Sequence, residues 1–196
     1  MWHWQKPSER TIEAFRVGQA GHAHPYAEVG ASRDRTPAGF NIDHNRVQLG
    51  KGAADFATAC DAVRRWQMFP APWTEIYPPG APIRVGQVVA VLAHAFGLWW
   101  TNACRIVYVL DETTLVRRFG FAYGTLPDHV ECGEERFSVE WTADDAVWYD
   151  LRAFSRPRHW SARLAYPLAR RLQRQFAIDS KASMCAAVAG ANHANP

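Results

Sequence analysis

The sequence has only four cysteines, Cys60, Cys104, Cys132 and Cys185, with no C-x-x-C pair and no regular spacing. A disulfide framework and a paired zinc site are thereby excluded, and the thiols read as reduced and packed. Its longest apolar run, Val88 to Trp100, is 13 residues and contains His94 and Gly97, short of the roughly 20 that span a bilayer. The opening MWHWQKPSER has no apolar core of a secretory signal. A soluble cytoplasmic chain with no membrane span is the expectation. Charge is only mildly basic, at a formal +3 from 22 Lys and Arg against 19 Asp and Glu, without the broad basic stripe of a nucleic-acid binder, so nucleic acid is not an expected partner. No internal repeat is present. The glycines of LGKG and GFAYG lack phosphate-loop and dinucleotide patterns, and no cofactor is expected. His22-x-His24, with Asp43 and His44, lacks the fixed spacing of a metal helix or loop, so no metal is expected either and the histidines read as solvated on an arm.

Aromatic surface, by contrast, is plentiful, with 9 Trp and 10 Phe in 196 residues, a length suited to one domain. Residues 1–38 mix Gly, Pro, His and charge without sustained periodicity and read as an irregular N-terminal arm. Residues 39–189 form the domain, and 190–196, ending GANHANP, read as a frayed tail. A strand near Phe40 to Leu49 leads through Gly50-Lys51-Gly52 into a helix from Ala53 to Gln67, on which Phe56, Cys60 and Val63 fall on one stripe. Pro70 and Pro72 stop it. Period-two patterning then predicts six strands, near 74–78, 84–96, 100–110, 114–124, 133–141 and 146–155. A long helix from Trp160 to Val188 follows, with Leu164, Leu168, Leu172 and Phe176 at spacing four and Pro167 bending or restarting it.

The register of the last hairpin can be argued. A two-residue turn at Asp144-Asp145 would set Val139 opposite Asp150 and mix apolar with polar faces. An odd loop, Ala143-Asp144-Asp145, sets Trp141 opposite Val147 and Val139 opposite Tyr149, keeping one face apolar. That register places Glu135 opposite Ala153 and Gly133 opposite Ser155, so polar groups point inward. The element order is α+β. A curved antiparallel sheet of about seven strands gripping the C-terminal helix buries both apolar faces, and this order resembles the helix-grip fold of the START and Bet v 1-like superfamily, whose members often enclose an apolar cavity.

The segments AGFNIDHNRVQLGKGAADFATACDAVRRWQMF, NACRIVYVLDE, FGFAYGTLPDHVECGEERFSVEW and LRAFSRPRHWSARLAYPLARRLQRQF resemble the family numbered nineteen-ninety among the domains of unknown function. The likeness covers most of residues 26–184, and YGTLPDHVECGEERF is its most specific part. It implies a fold and no reaction, and it carries over no catalytic residues.

That block crowds Tyr123, Asp128, His129, Glu131, Glu134, Glu135 and Arg136 into one turn and its flanks. One reading is a general acid/base site, with Glu135 or His129 as the catalytic candidates. Another is the polar rim of a ligand cavity. A third leaves Asp128, Glu131 and Glu134 to water and pairs Arg136 with Glu134 on the outer face. The last explains Glu135 poorly, because it shares a face with Phe137 and Val139. Ser155 could orient a ligand or cap a helix, and Arg156 could pair with an anionic head group or with Glu135. Trp66, Phe121 and Tyr149, among other aromatics, either line a cavity or fill a core.

Three functions remain open at this point. One is a binding protein for a small apolar or amphipathic molecule, held between sheet and helix and contacted by Tyr123, Glu135, Ser155, Arg156, Trp66, Phe121 and Tyr149. Another is an enzyme of the cyclase or dehydratase kind working through Glu135 or His129. The last is an interaction module using the basic C-terminal helix, where five arginines from Arg158 to Arg174 have no acid among them.

Overall fold

In a computed structural model, residues 1–70, 72–113, 116–158 and 166–193 are described. The elements run β1 (Trp2–His3), α1 (Glu9–Gln19), a 3-10 turn (Ala31–Arg33), β2 (Asn41–Lys51), α2 (Gly52–Arg64), β3 (Thr74–Tyr77) and β4 (Val88–Ala95). Then come β5 (Leu98–Thr113), β6 (Arg117–Thr125), β7 (Glu131–Trp141), β8 (Ala146–Pro157) and α3 (Tyr166–His193). One antiparallel sheet has the order β2-β8-β7-β6-β5-β4-β3, and β1 pairs with β5. With α2 and α3 on one face of this sheet, the fold is the expected helix grip.

Two turns have a clear local cause. Gly52 adopts φ +78° between β2 and α2, a conformation that favours glycine. Asp55 folds back there to accept Lys51 N–H at 2.8 Å, filling the space where a side chain on Gly50 would stand. The β7–β8 loop has the odd length: Trp141 faces Val147 and Val139 faces Tyr149, while Asp145 at φ +67° closes the turn.

The inner face of the sheet carries Phe121, Phe137, Val139, Val147, Tyr149 and Leu151, packed with Ala59, Val63, Trp66 and Met68 and, from α3, Ala177, Met184 and Val188. Burial of each large side chain contributes about 1.5–3 kcal/mol. The outer face is covered as well. Ile12 of α1 packs on Ala90 and Leu92, and Tyr26 and Ala31 pack with Phe154.

Several expectations need correction. Residues 1–38 are not irregular throughout, since α1 starts at a Ser8 cap whose hydroxyl accepts from Thr11 N–H. Its apolar face is short, carried by Ile12 and Phe15 three residues apart. The helix expected over 53–67 ends at Arg64, because Trp66 takes a left-handed φ of 59°. On α3 the buried positions are Ala177, Ser180, Met184 and Val188, whereas Leu168 is 42% exposed. The stripe expected from Leu168 therefore turns away from the sheet at its first member. Trp160 and Leu164 lie outside the described residues. The helix also continues past residue 190, to His193.

Candidate functional site

Below the first turns of α3, beyond the reach of α2, the sheet and helix border a half-open cavity of about 640 Å³, within the range of small-molecule sites. Phe69, Trp73, Val91, Leu151 and Phe176 give it apolar walls. Its polar lining comes from four elements: Asp43 of β2, Tyr123 of β6, Glu131 and Glu135 of β7, and Ser155 of β8, with Gln173 and Arg170 above them on α3. His129, in the β6–β7 loop, also lines it.

Strand pairing sets these side chains beside one another. Tyr123 lies opposite Glu135, and Glu135 opposite Ala153. The Tyr123 hydroxyl donates to Glu135 Oε2 at 2.7 Å. Glu135 opens into the cavity, yet the surrounding protein strips its carboxyl of water. That desolvation raises its pKa from 4.5 to about 7, the Tyr123 hydrogen bond opposing it and the charges of Glu131 and Asp43 adding to it. Desolvation likewise raises Glu131, whose Oε2 accepts from Gln173 Nε2. Arg170 forms a bidentate pair with Asp43 and donates to Gln173 Oε1 at 2.7 Å, so one network ties α3 to β2 and β7.

His129 accepts Glu131 N–H through Nδ1 at 3.0 Å, which places the proton of the neutral ring on Nε2. Desolvation, with help from the N-terminal ammonium and Arg158, lowers its pKa to about 4. At neutral pH it is uncharged. Gly133, between Glu131 and Glu135, has φ +154°, and a Cβ there would fall 1.9 Å from Phe154 O. Only glycine lets β7 approach β8 closely enough to set both glutamates beside the cavity.

Residues 25–183 match the family described as Domain of unknown function (DUF1990). The chain belongs to the DUF1990 family. It is similar to a UPF0548 protein of Dictyostelium discoideum, 33% identical over 96% of each chain, and to one of Deinococcus radiodurans, 38% identical over 90% of this chain and 93% of that one. Among solved structures it is similar to hypothetical protein jhp0584 from Helicobacter pylori, with 12% identity, a TM-score of 0.48, and 81% and 94% of the two chains covered. Human STARD10 is similar at 11% identity and a TM-score of 0.41, over 90% of this chain and 80% of that one.

In this DUF1990 chain the expected site residues divide. Tyr123, Glu135, Ser155 and His129 meet at the cavity. Trp66, Phe121 and Tyr149 do not line it. Trp66 donates its indole N–H to Ala81 O at 2.8 Å, Phe121 is fully buried, and Tyr149 Oη lies 2.9 Å from Ser180 Oγ. All three fill the core where α2 and the later turns of α3 close over the sheet. Arg156 faces out, its guanidinium 4.4 Å from the centre of the Phe40 ring, and pairs with neither Glu135 nor the cavity.

Of the acids expected in water, Asp128 is exposed as expected and Glu134 is not. Glu134 is 3% exposed and accepts Gly30 N–H at 2.9 Å and Ser32 N–H at 3.3 Å from the arm. Asp128 accepts from Gln19 Nε2 at 2.7 Å. Arg136 pairs with Asp150 at 2.6 Å rather than with Glu134, and donates to Arg33 O at 3.0 Å. His24 is half-buried, its Nδ1 lying 3.0 Å from Thr125 O. Sequence reasoning misses Gln173 and Arg170 as cavity residues, and weighs Asp43 only as a metal ligand. The signal for Asp43 was available in the sequence, since Asn41, Asp43, Asn45 and Val47 alternate on one face of β2.

Among the described residues, no helix is long and apolar enough to cross a membrane.

Proposed function

We propose that the protein binds a small amphipathic molecule in this cavity, its apolar body between sheet and α3 and its polar end at Tyr123, Glu135 and Ser155. The observation that carries this reading is the Tyr123–Glu135 pair, set on the inner face of the sheet in a cavity that Phe69, Leu151 and Phe176 also line. A pure core would place hydrophobic side chains at those two inward positions, because burying a carboxyl costs free energy that folding alone does not return. The Asp43–Arg170 pair and Gln173 complete a polar rim beside it, the usual division between an apolar body and a few orienting groups.

A second reading, acid/base catalysis on the bound molecule, is favoured by one observation. Glu135, with a pKa near 7, can both donate and accept a proton at neutral pH. A basic interaction face is less supported, since Arg170 is engaged with Asp43.

Native mass spectrometry of protein purified gently from its own cells tests the binding reading. The expected spectrum carries an adduct of one small molecule per chain, lost on organic extraction. The substitution Ala153→Phe, which puts a ring against Glu135 in the cavity, should abolish the adduct without unfolding the chain. An adduct retained in that variant would refute the site.

A further inference from the structure

The chemical class of the occupant can be read from the charges the cavity leaves uncompensated. Asp43 is neutralised by its bidentate pair with Arg170. Glu134 is satisfied by backbone N–H groups of the arm. His44 is turned to Asp150 on the other face, and His129 is neutral. Arg174 lines the cavity but stands exposed. Among the described residues Glu131 and Glu135 thus form no ion pair, each accepting from a neutral donor, Gln173 or Tyr123, and only the more distant charge of Arg170, already paired with Asp43, favours the ionised form of Glu131.

A second observation concerns Glu131 alone. Its Oε1 is shut off from solvent and has no hydrogen-bond partner. A buried orphan acceptor on a carboxyl costs roughly 1–3 kcal/mol or more, and protonating that oxygen only exchanges an orphan acceptor for an orphan donor. A donor in the cavity that turns the Glu131 carboxyl toward itself removes the deficit in either case. A cationic donor also relieves the repulsion between the two carboxyls, which lie near enough for the Glu131 charge to raise the Glu135 pKa. Phe69, Trp73 and Phe176 offer aromatic surface beside them, which favours a cation or an aromatic body over an anion.

We infer that the occupant bears a cationic amine as its polar end, met by the Glu131 and Glu135 carboxyls, on an apolar body that packs against Phe69, Trp73 and Phe176. This inference rests on the ligand-binding reading above. It adds the sign of the charge: the site selects amines over alcohols and rejects carboxylates.

Three probes that share one body separate the two levels of the argument: 4-phenylbutylamine, 4-phenylbutanol and 4-phenylbutyrate, titrated calorimetrically at pH 7.5 into the full chain. The amine should bind about tenfold or more tightly than the alcohol, the difference expected of one charge-assisted hydrogen bond, and the carboxylate weakest. In the double variant Glu131→Gln, Glu135→Gln the amine should lose its advantage and bind no tighter than the alcohol. Titration of the wild type in buffers of different ionisation heat should show proton release when the amine binds, because Glu135 must ionise. Equal affinity for amine and alcohol, or tighter binding of the carboxylate, overturns the charge assignment and leaves the cavity reading standing. Failure of all three probes to bind overturns both.

Discussion

Replacing Glu135 by Gln should stabilise the ligand-free protein, and only above mildly acidic pH. In the unfolded chain the carboxyl ionises near 4.5, whereas in the folded chain it holds its proton to about 7. Between those values the folded state binds more protons than the unfolded state, so stability falls as pH rises. The gap of about 2.5 in pKa amounts to roughly 3 kcal/mol, lost progressively between pH 4.5 and about 7 and absent in full above it. Glutamine keeps the acceptor for the Tyr123 hydroxyl without ever bearing charge. Wild type and Glu135→Gln should therefore unfold alike in urea at pH 5, and the variant should be more stable by up to about 3 kcal/mol at pH 8, or about 6–12 °C in melting temperature for a chain of this size. Titrating groups that do not feel the Glu135 charge cancel in the difference. A variant that is less stable at every pH, or a difference that does not change with pH, would refute the claim that Glu135 is a desolvated acid.

Three further outcomes follow from the same geometry. Tyr123→Phe removes the hydrogen bond that holds the Glu135 pKa down, so the carboxyl midpoint in a carbon-13 NMR titration should move above about 7; a downward move would contradict the donor role of the hydroxyl. Asp150→Asn leaves Arg136 buried without its counter-charge and should cost about 3–5 kcal/mol in urea unfolding. Because His44 and Arg136 hold Asp150 below its usual 3.8 against the effect of burial, acid should remove the same stabilisation as pH falls below 3.8, and a loss on going alkaline would be the wrong sign. Gly133→Ala forces a Cβ against Phe154 O and should cost at least about 1–3 kcal/mol from backbone strain, read as a lowered melting temperature, with ligand binding impaired as Glu131 and Glu135 shift.

Much of the sheet was legible because period two is a strict constraint. One argument about the β7–β8 loop fixed Trp141 opposite Val147 and placed Glu135 on the inner face. What period two does not report is position along the strand. Phe121 and Tyr123 alternate on the same face of β6, but Phe121 lies under Trp66, whose ring is 4.7 Å away, while Tyr123 reaches the space that α2 leaves open. The choice between cavity wall and core filler depends on where helices end, and α2 ends at a left-handed tryptophan that no sequence rule anticipates. The outer face was illegible for a different reason. Glu134, Arg136, Glu140 and Asp150 have the composition of a solvated surface, but most of their partners are far in sequence: Gly30, Ser32 and Arg33 of the arm, and Arg118 on β6. An arm that covers polar groups with its backbone needs no apolar periodicity and leaves none to read.

The claim that a small molecule occupies the space between sheet and α3 is tested most directly by titrating a neutral apolar fluorophore, N-phenyl-1-naphthylamine, into the wild type and Ala153→Phe. The account predicts saturable binding of one probe per chain in the wild type and none in the variant, with both proteins folded by circular dichroism. No saturation in the wild type, or the same isotherm in both proteins, would contradict it.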